Sequence, residues 1–469
     1  MQELVEKDAV DIAHLLKGGE ISPLEVIDAL ETRTLAVDPM VNAVPTTCFD
    51  RARNHATALM NMPNEDRGIL AGLPVLIKDL SNVEGVRSTQ GSPIFSDHIP
   101  TASDHVVRDL EAAGGIVSGK SNTPEFGAGA NTFNEVFGKT LNPWGTKLSA
   151  AGSSGGAAVA LATGMAWLAH GSDLGGSLRN PASFNGVVGL RPSPFRVASG
   201  PSANPFDSLP VEGPMGRRVA DVALMLDAMA VHQPQVPLTL DAPSPSFLSA
   251  AQDKRAPVKI AFSPDLGITP VDPEVAQICR DAADKLASAG IDVVEAHPEF
   301  TGAHEAFQVL RAHSFASSLS RLYDHHRDKL KPEVVWNIEV GLKLTSAEIA
   351  SAERQRGQIF TKAESFMRDV DLLLTPATIT PPFPVEERYL ASCNGVEFAT
   401  YIDWLAIAYA ITLTALPALS LPCGMTKSGL PVGLQLVGKT RGEAMLLSHA
   451  NVIEEILGKM PTPIMPRPE

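Results

Sequence analysis

From Gly68 to about Asp227, short apolar runs alternate with stretches of helical pattern, and this alternation restricts the fold more than any other feature of the chain. Val75 to Lys78, Ile116 to Gly119 and Gly186 to Leu190 read as strands, while Ala102 to Ala113 and Gly156 to Ala166 read as helices. Strands interleaved with helices in this way predict an α/β fold built on a largely buried sheet. Further along, Val258 to Phe262, Glu274 to Ala289 and Ile291 to Ala296 follow the order of a βαβ unit. Two longer helical stretches run over about 304–326 and 346–370, and Asp371 to Thr375, Pro417 to Cys423 and Pro431 to Val437 predict strands that complete the same sheet. The Pro-, Ser- and Ala-rich stretch from Gln233 to Pro257 reads as a surface connection. Near the N-terminus, Asp8 to Lys17 predicts an amphipathic helix stopped at Gly18-Gly19. A second helix opens at Ser22-Pro23-Leu24-Glu25 with a capping box.

A chain of 469 residues is long enough for two or three domains, or for one large enzyme domain with a substantial core. The formal charge of -15, with no block of basic residues, argues against a field that draws nucleic acid or anionic membranes. Cys48, Cys279, Cys393 and Cys423 are widely spaced and form no Cys-x-x-Cys pair, so neither a zinc site nor a disulfide framework is expected, and a reducing cytoplasm is the simplest setting. The acidic start Met1 to Asp8 lacks the pattern of a secretory signal. The longest uncharged stretch, Trp404 to Pro422, contains Thr412, Thr414, Pro417 and Ser420 and fits buried core better than a membrane span.

Chemistry concentrates in two glycine-rich segments and one lysine. Ser153 stands in Ala150-Ala151-Gly152-Ser153-Ser154-Gly155-Gly156, Ser177 in Gly171-Ser172-Asp173-Leu174-Gly175-Gly176-Ser177, and Lys78 ends the apolar run Leu73 to Ile77. A serine hydroxyl needs a base within hydrogen-bond reach before it can attack. His170 lies seven residues before Ser177, but no Gly-x-Ser-x-Gly elbow surrounds that serine, and a histidine so placed is more often structural. Lys78 can act as base only when neutral; an ordinary lysine is neutral in roughly 10⁻³ to 10⁻⁴ of molecules at pH 7, a cost of about 4 to 5 kcal/mol. Burial beside Leu73, Val75 and Ile77 is expected to supply the shift, with Asp79 on the opposite face of the strand. A buried structural lysine paired with a carboxylate is the competing reading. The glycines before Ser177 allow backbone N–H groups of Leu174, Gly175, Gly176 and Ser177 to turn toward a developing oxyanion. Neither segment continues into Gly-Lys-Ser/Thr or matches Gly-x-Gly-x-x-Gly, which speaks against a phosphate loop.

Lys78, the Gly152 to Gly156 segment and Gly171 to Ala182 together resemble the amidase signature family, with the lysine and the two serines 75 and 24 residues apart. Phe184 to Pro192 and Gly429 to Gln435 also resemble family segments, and the likeness covers nearly the whole chain, least clearly over about 235–370. The resemblance implies one domain over 1–469: a large mixed β-sheet covered on both faces by helices, with a signature core at about 65–230, a variable insertion at about 235–370, and 371–469 returning to the core sheet. It implies Ser177 as nucleophile, Ser153 as a bridging serine in a cis peptide, and Lys78 as neutral base. Ser154, Asp173 and Arg179 would support them, with no cofactor and no metal. Ala151, Ala157, Ser172 and Leu174 depart from residues common in the family without removing a catalytic group.

The expected activity is hydrolysis of a neutral, partly apolar carboxamide or anilide through an acyl-enzyme, with esters and carbamates (urethanes) open to the same chemistry. The partner is a small-molecule amide or carbamate, with no nucleic acid and no membrane; family members are often dimers. A degenerate member used only for binding is the bland alternative. The other alternative is the catalytic subunit of a glutamine-dependent tRNA amidotransferase, though that group commonly has Gln where Asn180 stands. The loops around 131–137 and 196–206, the helices of 300–345 and the stretch 381–406 are expected to shape the pocket.

Overall fold

The computed structural model describes residues 2–468. Its frame is an eleven-stranded mixed sheet. Across the sheet the strands follow the order Thr46–Thr47, Ile116–Ser121, Pro74–Lys78, Leu168–Asp173, Val211–Gly216, Val188–Arg191, Ala418–Met425, Pro431–Val437, Leu372–Pro376, Lys259–Phe262 and Asp292–Glu295. Parallel pairs occupy the two flanks, where Pro74–Lys78 lies between Ile116–Ser121 and Leu168–Asp173, and Lys259–Phe262 lies between Leu372–Pro376 and Asp292–Glu295. The strands between them pair antiparallel.

Local chemistry explains the element boundaries. Ser22 and Glu25 close a capping box, with the Glu25 N–H donating to Ser22 Oγ at 3.3 Å and the Ser22 N–H to Glu25 Oε2 at 2.8 Å. Helix Ala9–Gly18 stops at Gly19, which adopts φ 69°. The βαβ order of the middle region is realised by helix Pro273–Ser288 between two parallel strands. Trp404 is buried, and the apolar stretch it opens forms the buried helix Ala406–Leu413 and the strand Ala418–Met425. No described helix is long and apolar enough to cross a membrane.

Strands buried along their whole length, such as Pro74–Lys78 and Pro431–Val437, need cover on both faces. Along Pro74–Lys78 the two faces go to different clusters: Val75 and Ile77 join the larger core with helix Val219–Met229, while Leu76 joins a second core with the all-buried helix Gly155–Ala162. The period of two places Lys78 on the face of Leu76, toward the start of that small-residue helix. The shift in Lys78 was expected from Leu73, Val75 and Ile77; these belong to the larger core on the other face, and the helix side encloses the amine instead.

Close approach depends on Gly156, where a Cβ would stand 2.4 Å from the Asn122 backbone nitrogen and 2.6 Å from the Ala43 carbonyl oxygen. Because both obstacles are backbone, Gly156→Ala is expected to destabilise by roughly 1–3 kcal/mol, read as a lower midpoint in chemical or thermal unfolding.

Candidate active site

Three chain segments meet at the end of strand Pro74–Lys78: its last residue, the turn before helix Gly155–Ala162, and the end of strand Leu168–Asp173. Lys78 Nζ lies 2.7 Å from Ser153 Oγ and 2.9 Å from both Ser154 Oγ and Ser172 Oγ. The Gly152–Ser153 peptide is cis. The Ser154 N–H donates to the Ser177 carbonyl at 3.3 Å, which ties the two glycine-rich segments together. Ser177 itself is half-buried, and its hydroxyl makes no hydrogen bond among the described residues; with Ser153 it lines one cavity. Sequence reasoning missed Ser172 as an amine partner, because Gly171-Ser172 reads as loop rather than strand.

The amine of Lys78 is fully buried, and its surroundings are hydroxyls rather than a carboxylate. Burial pushes its pKa down to about 7, against the more distant pull of Glu212 and Asp173. His170 is not near the serine hydroxyls' work: its Nδ1 accepts from the Lys78 N–H at 3.4 Å, and its Nε2 donates to Glu212 Oε2 at 2.8 Å. It is a strand-to-strand brace, as its setting suggested. Asp79 faces away from Lys78 and pairs with the buried Lys120 at 3.0 Å.

Asp173 organises the loop that carries Ser177. Burial raises its pKa, but Arg179 and Arg191 outweigh that and hold the carboxyl well below the usual carboxylate range. Arg179 grips it through Nη2 at 2.8 Å and Nε at 3.0 Å, and the same carboxylate accepts from the N–H groups of Gly176 at 2.9 Å and Leu178 at 3.1 Å. Arg179 Nη1 reaches on to the Ala408 carbonyl at 2.8 Å and to Gln435 Oε1. The four expected oxyanion donors are therefore reduced by one, since the Gly176 N–H is spent on Asp173. Those of Leu174, Gly175 and Ser177 have no partner among the described residues. Gly176 has φ 111°, and a Cβ there would meet that of Ala408 at 2.7 Å, so only glycine makes this turn.

The cavity, of about 640 Å³ including its open mouth, is walled by Leu80, Phe126, Phe307, Phe315 and Leu405. Of the segments expected to shape it, the helix Ala303–His326 and Leu405 do so; 131–137 and 196–206 do not, and 126–130 and Pro210 stand in their place. One cation, Arg311, also lines it and was not anticipated. Among the described residues no group of His, Cys, Asp and Glu is arranged to hold a metal ion.

The Asp173 cluster generates a stability prediction. Asp173→Asn leaves Arg179 and Arg191 buried without their counter-charge, and removing one partner of a buried pair typically costs about 3–5 kcal/mol. The expected outcome is a large drop in the unfolding midpoint together with lost turnover, whereas Asp173→Glu should lose less stability.

Residues 25–447 match the family model described as Amidase. The chain is 34% identical over 460 residues to an acylamidase of Rhodococcus erythropolis, covering 97% of this chain and 96% of that protein. It is 36% identical over 481 residues to a glutamyl-tRNA(Gln) amidotransferase subunit of Moorella thermoacetica, covering 97% of each. Among solved structures, a bacterial aryl acylamidase of the amidase signature family superposes with a TM-score of 0.89 at 27% identity over 96% of both chains. Model, relatives and fold agree over nearly the full length, and the chain belongs to the amidase signature family.

Proposed function

We propose that this amidase-family hydrolase of C–N bonds cleaves a carboxamide or anilide with an apolar body, through an acyl-enzyme on Ser177. The observation that carries the reading is the buried Lys78 amine, 2.7 Å from Ser153 Oγ, with a pKa brought down to about 7 and no carboxylate beside it. A lysine kept for an ion pair would resemble Lys120, which has Asp79.

In the proposed sequence, Ser177 Oγ attacks the carbonyl carbon and its proton passes through Ser153 Oγ to neutral Lys78 Nζ. The free N–H groups of Leu174, Gly175 and Ser177 are the candidates to receive the developing oxyanion; each such donor is typically worth about 3–4 kcal/mol in the barrier. Collapse breaks the C–N bond, and the proton returns from Lys78 through Ser153 to the leaving nitrogen, releasing the amine. Water enters the same relay and attacks the acyl carbon, which frees the acid and restores Ser177. Ser154 and Ser172 hold the amine in place when it carries a proton. The apolar wall of Phe126, Phe307 and Phe315 supports an aromatic or aliphatic substrate body. A carbamate ester follows the same path: Ser177 displaces the alcohol or the amine, water releases the rest from the carbonylated serine, and the products are alcohol, amine and carbon dioxide.

The similarity to an amidotransferase subunit favours a second reading, in which the chain works with partner subunits on glutamine. Turnover of simple anilides by the isolated chain supports hydrolysis alone; glutamine-dependent ammonia transfer that needs co-purifying subunits supports the second.

Ser177→Ala is expected to lower kcat/KM by roughly 10³-fold or more, and mass spectrometry should find an acyl adduct on Ser177 in the parent chain but not in the variant. Full turnover by Ser177→Ala removes the assignment. Below pH 7 Lys78 carries its proton and cannot accept another, so kcat/KM should rise with pH along a limb with an apparent pKa near 7. Lys78→Met should abolish that limb together with most of the activity.

A further inference from the structure

Helix Ala303–His326 turns Phe307, Arg311 and Phe315 into the cavity that holds Ser153 and Ser177. Residues four apart on a helix are separated by about 6 Å of rise and share a face. Phe307 begins the stripe against the Ser177 loop, its Cζ being 3.1 Å from where a Cβ on Gly175 would stand. Arg311 follows Phe307 by one helical turn and lines the same cavity.

The setting of Arg311 is unlike that of the other buried cations near the site. Arg179 and Arg191 share Asp173, and Lys120 has Asp79. Arg311 is only 6% exposed, yet among the described residues it forms no ion pair. Its one hydrogen bond runs from Nη1 to Asn337 Oδ1. The Phe315 and Tyr401 rings lie 4.5 Å and 5.4 Å from its Cζ and offset part of the cost of burying the charge. Among the described residues Nε and Nη2 donate to nothing, and neither is sealed off from open space. Asn337 is itself fixed, donating to the Glu333 carbonyl at 2.6 Å and to the Tyr401 hydroxyl, so the guanidinium is held in one orientation before any ligand arrives.

A desolvated guanidinium with free planar donors selects an anion that can accept two parallel hydrogen bonds. The acidic residue lining the same cavity, Asp173, is already neutralised by two arginines and neither competes for Arg311 nor repels an incoming anion. We propose that Arg311 anchors a carboxylate carried on the apolar body of the substrate, in the cavity that Ser177 also lines, so that carboxylate-bearing amides are preferred over their uncharged counterparts. This rests on the hydrolase reading above, which it narrows.

The test uses two matched pairs of anilides: N-phenylglutaramate against N-phenylpentanamide, with the carboxylate on the acyl side, and N-pentanoyl-4-aminobenzoate against N-pentanoyl-4-methylaniline, with it on the amine side. In at least one pair the parent chain should favour the carboxylate member. Arg311→Met should lower kcat/KM for that member on the order of 10-fold or more, mostly through KM, while changing the neutral member less than about 3-fold. Arg311→Lys, which keeps the charge and loses the fork, should fall between. Equal losses for charged and neutral members, or no loss for either carboxylate, overturn the proposal. Calorimetric binding of the same carboxylates to Ser177→Ala, with and without Arg311→Met, separates it from the parent reading. Arg311-dependent binding with no amide turned over keeps the anion site and removes the hydrolase. Turnover of neutral anilides with no effect of Arg311 does the reverse.

Discussion

The buried carboxylate of Asp173 is the contact on which the arrangement of this site hangs. It ends strand Leu168–Asp173, receives Arg179 from the helix after the Ser177 loop, and receives Arg191 from the strand beyond. Through Arg179 it is joined to Ala408 and Gln435, so that the C-terminal segments also brace the loop. Charges removed from water this completely are stabilising only when each donor and acceptor is met. Here the backbone N–H groups of Gly176 and Leu178 add to the arginines as donors to the carboxylate, and in doing so they fix the turn that carries Ser177.

The two buried lysines show how neighbours decide a side chain's use. Lys78 and Lys120 lie on adjacent parallel strands, both fully buried, and burial lowers both pKa values. Lys120 has a carboxylate at 3.0 Å; Lys78 has three hydroxyls. Hydroxyls can donate to a neutral amine as readily as they accept from a charged one, which a carboxylate cannot do. The Asp79 next to Lys78 in sequence serves the other lysine, because consecutive strand residues face opposite ways.

Much of the frame was legible in the sequence because continuous apolar runs such as Leu372–Pro376 and Pro431–Val437 have few places to go other than a doubly covered sheet. The capping box at Ser22 and the long helices beginning at Ala303 and Ser346 were legible for equally local reasons. Strand Leu168–Asp173 was not, since its pattern of Ala, His, Gly and Ser carries no apolar periodicity and its burial comes from neighbours distant in sequence. For the same reason Ser172 was missed as a partner of Lys78. The loss of the Gly176 N–H to Asp173 is a matter of turn geometry, which residue types do not encode. Arg311 was hidden because an arginine in mid-helix usually points to solvent; its placement depends on Asn337 and Tyr401.

The order in which these partners occur along the chain carries a kinetic consequence. Lys78 meets Ser153 across 75 residues, but Arg179 meets Gln435 across 256. Contacts this distant must wait for large loop closures, which slows folding relative to a chain of local contacts. During synthesis the amine and the serine hydroxyls can come together well before the strand carrying Gln435 exists. The brace that Gln435 gives the Ser177 loop through Arg179 can therefore form only after the local contacts of Asp173 with Gly176, Leu178 and Arg179 are available.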